Sequence, residues 1–424
     1  MREIALGELD FTEFVKPGDR VAWTSGTGEP LALSERLVAQ RHDIGGFKLL
    51  LGTLYSATLA PENCDGIEVL SLGAVGQARK LAAVGAIDVL PVHMSDFASL
   101  IRTGRIPIDL AVIQLAEDPV TGALSYGAVN GYNADLLAKA RVVMAEINSN
   151  APFTHASVAV PRERISAFVR SDRPLIDMPE TPIDAVSDAI ARHVAGLVKD
   201  GAVLQIGVGS VPSALLSALA GHRDLGLHSG TISDGMVGLI ERGVITNARK
   251  SANAGVSITG TLLGTRRLYD FAHRNPLLRV EPVTMTHSFE ALRDCADLTS
   301  INSAIEIDLT GQVNAEVAGT RYIGTIGGQM DFIRGARAAP GGVSIVALPA
   351  ATAKGSSRIV PVIASGVVTS GRADVDYVVT EHGIARLSDC GLGERARRLI
   401  AIADPAHRET LERAAGSIPG GLRN

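Results

Sequence analysis

The chain has 424 residues, which at roughly 150 residues per domain predicts two or three domains. A formal net charge of −5 and only 4% aromatic residues exclude both a polyanion-binding surface and a platform for stacking bases, so nucleic-acid binding is not expected. Hydrophobic residues make up 46% of the chain, enough for a large core, and this excludes disorder as the main state.

In the first half, short β-branched runs alternate with longer amphipathic stretches. The pattern predicts a helix at 31–40 and strands at 20–24, 47–51, 67–70, 86–90, 110–114 and 142–147. These apolar runs lack a clean period of two, which is typical of parallel strands covered on both faces. The polar segment 169–182 carries three prolines and predicts a linker.

The second half repeats the order of the first. An amphipathic helix is predicted at 183–199, followed by a strand at 202–206, a glycine loop at 207–212 and a helix at 213–219. Residues 21–38 show the same succession of strand, Gly-x-Gly loop, proline and helix. We therefore expect two related α/β domains, residues 1–185 and 186–424.

Cysteine usage and the N-terminus predict a compartment. Cys64, Cys295 and Cys390 lie far apart in the sequence, as expected for a reduced intracellular protein. The first twenty residues are charged and lack an apolar core, and no apolar run approaches the roughly 20 residues that span a bilayer. A cytoplasmic protein without membrane or nucleic-acid partners is the expectation, and the histidine spacings predict no metal site.

The segment QIGVGSVPSALLSAL at 205–219 is the first candidate for chemistry. Gly207 and Gly209 let a ligand approach the backbone, and Pro212 suits the first turn of a helix. The free N–H groups of such a turn favour an anion or a developing oxyanion. An ordinary strand-to-helix turn explains the same pattern without function.

Two further motifs bring acidic residues together. In LHSGTISDGMVGLIERGVITN, Asp234 is expected to cap the following helix. In SINSAIEIDLTGQVNAEVAG, Glu306 and Asp308 are expected on one face of a strand, where solvated acids are the commoner case.

The last two motifs are a loop of small residues, GTIGGQMDFIR at 324–334, and DYVVTEHGIAR at 376–386. The first suits a backbone that lies against a ligand. In the second, His382 beside Glu381 could titrate near neutrality, although a hydrogen-bonded loop histidine is the simpler interpretation.

These motifs, in this order, resemble the acetyl-CoA hydrolase/transferase family, whose best-known members include 4-hydroxybutyrate CoA-transferases. Segments 110–131 and 142–155 match as well, and the C-terminal block TEHGIARL…GERARRLIAIADPAHRETL is the most specific part. The resemblance covers nearly the whole chain. It implies two tandem CoA-transferase-type α/β domains with mainly parallel sheets and an active site between them.

The resemblance also implies a ping-pong reaction. A glutamate carboxylate attacks an acyl-CoA thioester to form an anhydride, CoA returns to give a glutamyl-CoA thioester, and a second acid collects the CoA. We therefore expect an acyl-CoA:carboxylate CoA-transferase for an acid of the butyrate, 4-hydroxybutyrate or itaconate type. Coenzyme A thioester is then the substrate, no cofactor is covalently bound, and a homodimer or larger homo-oligomer is implied.

One position departs from the family pattern. Many members carry the nucleophilic glutamate in a segment like H-[ST]-E, and the matching stretch here is His228-Ser229-Gly230. Either the nucleophile has moved or no covalent intermediate forms. From its placement in a loop after a strand we take Glu62 as the candidate nucleophile. Glu29 is the alternative, although an acid before a helix is stabilised there without any catalytic role.

Glu306 and Glu316 follow as weaker candidates for the nucleophile. Gly207 and Gly209 are expected to supply oxyanion donors. The substrate and CoA are expected to contact Gly230, Gly327, Gly328, Gln329, Lys354, Ser356, Glu381 and His382, and the cations that could meet CoA phosphates are Arg321, Arg334, Lys354, Arg358 and Arg386. An acyl-CoA hydrolase, a non-catalytic CoA-binding protein and, remotely, a sugar-phosphate isomerase on a related fold remain the alternatives.

Overall fold

The computed structural model describes residues 1–416 and contains two large parallel sheets, one from each half of the chain. In the first half, successive strand residues enter different cores: Val21 and Trp23 pack in one cluster, and Ala22 packs in another. Both faces of the strand are therefore buried, as the apolar run predicts. The strands are β1 Arg2–Glu3, β2 Arg20–Trp23, β3 Phe47–Leu51, β4 Ile67–Ser71, β5 Ile87–Val89, β6 Leu110–Glu117, β7 Leu124–Ser125, β8 Val142–Asn148 and β9 Ala167–Ser171. The helices are α1 Leu31–Ala39, α2 Arg41–Ile44, α3 Ala78–Ala83, α4 Met94–Arg102 and α5 Asn133–Lys139.

The second half forms the other large sheet and two small ones. Its strands are β10 Val203–Ile206, β11 Gly226–Ile232, β12 Ser257–Leu262, β13 Leu278–Val280, β14 Leu298–Ser303, β15 Glu306–Asp308, β16 Val313–Asn314, β17 Val317–Ala318, β18 Arg321–Tyr322, β19 Val343–Ala347, β20 Ile359–Val360, β21 Tyr377–Thr380 and β22 Gly383–Arg386. Its helices are α6 Ala185–Ala195, α7 Ser210–Ala218, α8 Asp234–Glu241, α9 Arg266–Ala272, α10 Val283–Thr286, α11 Phe289–Arg293, α12 Gln329–Ala338, α13 Leu392–Ala401 and α14 Arg408–Ala415.

Both large sheets are built mainly from parallel strands. The first sheet runs β1-β9-β8-β6-β2-β3-β4-β5, and all these pairings are parallel, with β7 folded back against β6. The second runs β13-β12-β11-β10-β14-β19-β21-β22, and only β22 is antiparallel. The predicted α/β class with mainly parallel sheets is confirmed. Sites in such sheets form at the carboxyl ends of the strands.

The predicted linker begins too early in the sequence. Residues 169–171 belong to β9, which pairs with β8 and β1, because Ala167, Phe168 and Val169 are buried despite the polar residues that follow. The predicted division after residue 185 falls at the start of α6. No helix within residues 1–416 is long and apolar enough to cross a membrane.

The aspartates of the two acidic motifs, Asp234 and Asp308, accept hydrogen bonds from nearby backbone N–H groups. Ser233, not Asp234, is the N-cap of α8, and the Asp234 carboxylate accepts from the Thr265 N–H at 2.9 Å. Asp308 is buried and accepts from Thr310 and Gln312, so it closes a turn.

The two halves are joined by backbone hydrogen bonds close to the strand ends. The Val283 N–H donates to the Gly131 carbonyl at 2.8 Å, and the Ala74 N–H donates to the Gly324 carbonyl at 2.8 Å. The Asn130 N–H also donates to the Gly260 carbonyl of β12 at 3.1 Å. Together these bonds hold β12, α10 and the loop before α12 against the first half of the chain, and they enclose a cleft.

Candidate active site

The cleft has a volume of about 330 Å³ and lies between the two large sheets, at the carboxyl ends of β2, β3, β10, β11 and β14. Among the described residues, the cleft is lined by glycines and by side chains that carry hydroxyl, amide, aromatic or aliphatic groups. His287 contributes the single imidazole of this lining, which contains no Asp, Glu, Lys or Arg. A larger surface depression of about 610 Å³ is less suited to chemistry. Its cations are already neutralised, because Arg170 pairs with Glu117 and Arg274 pairs with Asp118.

The glycine turn after β10 forms one wall of the cleft. The Gly207 N–H donates to the Ile301 carbonyl at 3.1 Å, so Gly207 offers no free donor, in contrast to the prediction. Gly209, with φ of +133°, lies on the far side of the turn and does not line the cleft. Within residues 1–416 the Val208 N–H has no acceptor, and Val208 lines the cleft at the start of α7. Among the cleft-lining residues of this turn, Val208 is therefore the one with a free N–H, one residue from each predicted glycine.

Two amide side chains lie beneath this turn. Gln205 on β10 and Asn302 on β14 exchange hydrogen bonds of 3.3 and 3.1 Å across the two adjacent central strands. The pair satisfies most of its own polar atoms and presents a neutral polar floor to the cleft.

The loop before α12 forms the opposite wall. Gly327, Gly328 and Gln329 all line the cleft, and their predicted contact with substrate or CoA stays a prediction. The Gly327 carbonyl accepts from the Met94 N–H at 2.9 Å, which fixes the loop on the first domain. The N–H groups of Gly328 and Gln329 have no acceptor within residues 1–416, so a second helix start, that of α12, adds donors.

Gly230 lies on β11 beside the His287 ring. A methyl group on Gly230 would lie 2.9 Å from His287 Nε2 and 3.0 Å from Cε1. A methyl group on Gly328 would lie 2.5 Å from the same Nε2. The imidazole therefore fills the space that side chains at these two glycines would occupy.

His287 is held by three contacts. Its Nδ1 lies 2.7 Å from Thr286 Oγ1, its backbone N–H donates to the Val283 carbonyl, and its ring packs against Phe332 at a centroid distance of 4.7 Å. Burial, and secondarily the neighbouring His228, lowers the pKa of His287 to about 3, so the ring is neutral at physiological pH. Its Nε2 has no hydrogen-bond partner within residues 1–416.

Glu29 lies next to the cleft but does not line it. Its carboxylate is buried and accepts from the N–H groups of Tyr55 and Ser56, at 2.6 Å and 3.3 Å. Burial raises the pKa of Glu29 to about 7. Tyr55 lines the cleft, so Glu29 fixes the loop that carries it.

The other acidic candidates are not brought to the cleft. Glu62 is exposed on the loop after β3 and does not line the cleft. Glu316 is buried and bonded to Tyr322 and Thr369, and Glu306 accepts from Asn314. The structure therefore does not support Glu62 as the nucleophile, and it places no carboxylate of the described chain on the cleft surface.

Lys354, Ser356, Glu381 and His382 form a separate group. Lys354 and Ser356 are exposed on the loop between β19 and β20, and Glu381 joins this region through its bond from the Ala350 N–H at 2.8 Å. None of the four lines the cleft. Of the predicted phosphate-binding cations, Arg334 pairs with Asp374 and Arg386 with Asp389, while Lys354 makes no ion pair within the described residues.

Sequence reasoning missed His287 and the Gln205–Asn302 pair. Gln205 stood inside the quoted glycine motif and Asn302 inside the next one, so a polar residue in a buried strand was the available signal. Nothing in the sequence connects His287 with Gly230, because they lie 57 positions apart and meet only through the packing of α10 on β11.

Two large, mainly parallel sheets share an uncharged, glycine-lined cleft at the carboxyl ends of their strands, which is where α/β enzymes of this architecture bind their ligands. The family model of the acetyl-CoA hydrolase/transferase N-terminal domain matches residues 7–172. The model of the C-terminal domain of the same family matches residues 264–415. The chain belongs to the acetyl-CoA hydrolase/transferase family.

Relatives and solved structures agree with this assignment. The 4-hydroxybutyrate coenzyme A transferase of Clostridium kluyveri is 36% identical over 92% of each chain. RipA from Yersinia pestis has a TM-score of 0.91 at 30% identity, covering 98% of this chain and 97% of that one. A 4-hydroxybutyrate CoA-transferase from Porphyromonas gingivalis has a TM-score of 0.81 at 30% identity, covering 97% and 96%.

More distant relatives, such as a Kluyveromyces lactis protein at 25% identity, are acetyl-CoA hydrolases. These findings support a CoA-transferase, with an acyl-CoA hydrolase as the alternative.

Proposed function

We propose that this chain is an acyl-CoA:carboxylate CoA-transferase for a short-chain or dicarboxylic acid of the butyrate, 4-hydroxybutyrate or itaconate type. The observation that carries the proposal is the uncharged cleft between the sheets. An anionic acceptor can enter it without meeting a fixed negative charge, and the free N–H groups at Val208, Gly328 and Gln329 favour its carboxylate. A volume of about 330 Å³ suits a short acyl group better than a long chain.

A direct transfer fits this cleft better than a glutamyl-CoA intermediate. The covalent route needs an enzyme carboxylate at the thioester, and Gly230 stands where the family pattern has glutamate. The acceptor's own carboxylate would instead attack the thioester carbonyl, forming a mixed anhydride and releasing CoA thiolate. The thiolate then attacks the acceptor's carbonyl carbon in that anhydride, and the donor acid leaves as a carboxylate.

The remainder of CoA would extend across the second sheet toward Lys354. Strands β14, β19 and β21 are neighbours, so the loop after β19 begins about 5 to 10 Å from the end of β14. Lys354, which is exposed and makes no ion pair within the described residues, would meet a phosphate of the nucleotide. Binding energy from this remote part positions the thioester in the cleft.

Kinetics test the proposal. With acetyl-CoA as donor and butyrate, 4-hydroxybutyrate, succinate or itaconate as acceptor, we expect the acceptor's CoA thioester to form. Initial-rate lines should intersect, as for a ternary complex, and borohydride should not inactivate the enzyme in the presence of acyl-CoA. Parallel lines with a covalent CoA adduct in the intact mass would refute the direct route. CoA binding without any transfer would favour the non-catalytic alternative.

A matched pair of glycine variants locates the reaction. Gly207→Ala places a methyl group in the cleft while its nearest neighbour is the Ile301 carbonyl at 3.8 Å, so the fold should tolerate it. Displacing the thioester by about 1 Å costs up to about 100-fold in rate. Gly221→Ala, which meets nothing within 4 Å on the surface, is the control and should keep wild-type turnover. Equal activity of the two variants would remove the reaction from this cleft.

The predicted homodimer or larger assembly stays a prediction, which light scattering coupled to size-exclusion chromatography measures directly.

A further inference from the structure

We propose that Ser95 is a positioning residue for the transfer reaction, because it holds the Asp331 carboxylate on α4 and keeps it from the free N–H groups at the start of α12. The inference rests on the proposed function, which directs the carboxylate of the acceptor acid to those N–H groups. Three observations carry it: the hydrogen bonds between Ser95 and Asp331, the place of Asp331 in its own helix, and the lining of the cleft.

The first observation is a pair of hydrogen bonds between the two halves of the chain. Ser95 donates to both carboxylate oxygens of Asp331, from its backbone N–H at 3.1 Å and from its hydroxyl at 2.6 Å. The preceding residue, Met94, donates its N–H to the Gly327 carbonyl at 2.9 Å. The first turn of α4 therefore fixes both the loop before α12 and the first turn of α12. Bonds to an ionised carboxylate are about twice as strong as neutral ones.

The second observation is the position of Asp331 in the first turn of α12, next to Gly328 and Gln329. The N–H groups of these two residues have no acceptor in the described chain. An acidic side chain in the first turn of a helix is attracted to the free N–H groups of that turn, and one at the third helical position can reach back toward the N-cap. Asp331 is therefore a built-in competitor for the donors of its own helix, and Ser95 directs its carboxylate to another helix instead.

The charge of Asp331 makes this competition strong. Burial raises the pKa of Asp331 to about 6, although the bonds from Ser95 act in the opposite direction, so the carboxylate is mainly ionised at neutral pH. Two titratable neighbours at the start of α4 act on it as well: His93 lowers this pKa and Asp96 raises it. An ionised group that is largely removed from water needs hydrogen-bond donors. Without Ser95, the carboxylate would turn to the free N–H groups of α12.

The third observation is the lining of the cleft on either side of Asp331. Gly328, Gln329 and Phe332 all line the cleft, whereas Asp331, which lies among them in the sequence, does not. A carboxylate turned onto the α12 donors would occupy the place of the acceptor's carboxylate and would repel it. Ser95 thus keeps this wall of the cleft uncharged and its donors available.

A suppressor experiment tests the proposal, with transfer from acetyl-CoA to butyrate as the readout. Ser95→Ala removes the shorter of the two bonds and should raise KM for butyrate by about tenfold or more, with a smaller change in KM for acetyl-CoA. Asp331→Ala removes the competing charge and should keep KM for butyrate within about threefold of wild type. The double variant should return to the value of Asp331→Ala, although it lacks both partners of the bond.

Conservative and control variants accompany these three. Ser95→Thr keeps a hydroxyl at the same position and should retain the wild-type KM for butyrate. Ser99→Ala, one turn further along α4, removes a hydroxyl that has no hydrogen-bond partner among the described residues, and it should change neither KM. Asp331→Asn keeps the shape of the side chain without its charge, and it replaces Asp331→Ala if the alanine variant does not fold.

Two measurements do not depend on turnover. A crystal structure of Ser95→Ala should show the Asp331 carboxylate within hydrogen-bond distance of the Gly328 or Gln329 N–H. Calorimetric titration with butyrate alone should give a Kd about tenfold weaker for Ser95→Ala than for wild type, and a recovered Kd for the double variant.

The outcomes separate this proposal from the proposed function. An unchanged KM for butyrate in Ser95→Ala overturns the role of Ser95. A loss in Asp331→Ala as large as that in Ser95→Ala, without recovery in the double variant, overturns it too, because the pair then only holds the two helices together. Absence of transfer in the wild type overturns the proposed transferase. In that case the crystal structure decides the role of Ser95: a carboxylate still on α4 overturns it, and one on the α12 N–H groups supports it.

Discussion

Glycine at position 230 is a steric requirement set by His287. A methyl group there would lie 2.9 Å from Nε2 and 3.0 Å from Cε1, whereas carbon contacts are most favourable near 3.5–4.0 Å. Withdrawal of the ring is opposed by the Phe332 ring, whose centroid lies 4.7 Å from that of His287, and by the 2.7 Å hydrogen bond between Nδ1 and Thr286 Oγ1. Overpacking of this kind costs about 1–3 kcal/mol, so Gly230→Ala should lower the free energy of unfolding by that amount.

Urea denaturation of a double-mutant cycle measures the coupling. Once His287→Ala has removed the ring, Gly230→Ala should cost less than about 0.5 kcal/mol, giving a coupling energy of about 1–3 kcal/mol. If the loss of unfolding free energy in the double variant equals the sum of the losses in the two single variants within about 0.5 kcal/mol, the steric reasoning is refuted. A small cost of Gly230→Ala in the wild-type background would refute it as well.

The same steric argument predicts how a covalent route could be installed. Gly230→Glu alone should be poorly folded or inactive, because the new side chain and His287 compete for one space. Gly230→Glu with His287→Ala should gain a covalent CoA adduct and borohydride-sensitive transfer. Absence of an adduct in a folded double variant would show that position 230 does not face the thioester carbonyl.

Three other predictions follow from buried and exposed charges. Burial raises the pKa of Glu29 to about 7 from 4.5, so the folded state binds the proton more tightly and stability is lost as pH rises between these values. The free energy of unfolding of Glu29→Gln, measured with urea and compared with that of the wild type, should therefore rise by about 2.5 kcal/mol from pH 5 to pH 8. A difference between the two proteins that does not change with pH would contradict the raised pKa of Glu29. Glu62→Gln should keep turnover within about twofold of wild type, as most surface substitutions do, and loss of transfer would return Glu62 to the site. Lys354→Ala should raise KM for acyl-CoA roughly tenfold, a loss of about 1.4 kcal/mol, without changing KM for an acyl-pantetheine that lacks the nucleotide; equal changes for both substrates would place Lys354 elsewhere.

Much of the fold could be predicted from the pattern of apolar residues. The β-branched runs at 47–51 and 142–147 are strands in the structure because a strand buried on both faces needs apolar residues at every position. The strand Ala167–Ser171 was missed because its last two residues are polar and a proline-rich segment follows. Side chains of this kind are tolerated where a strand leaves the core, and sequence alone does not show where that happens.

Local sequence determined which backbone turns exist, because glycine and proline act on their own φ and on their nearest neighbours. The glycine turn after β10 and the loop before α12 were therefore visible as motifs. Tertiary packing decided which acids and bases reach the cleft, since that depends on elements far apart in the chain. It left Glu62 exposed, buried Glu29 against the N–H groups of Tyr55 and Ser56, and placed His287, the residue after α10, against Gly230 of β11.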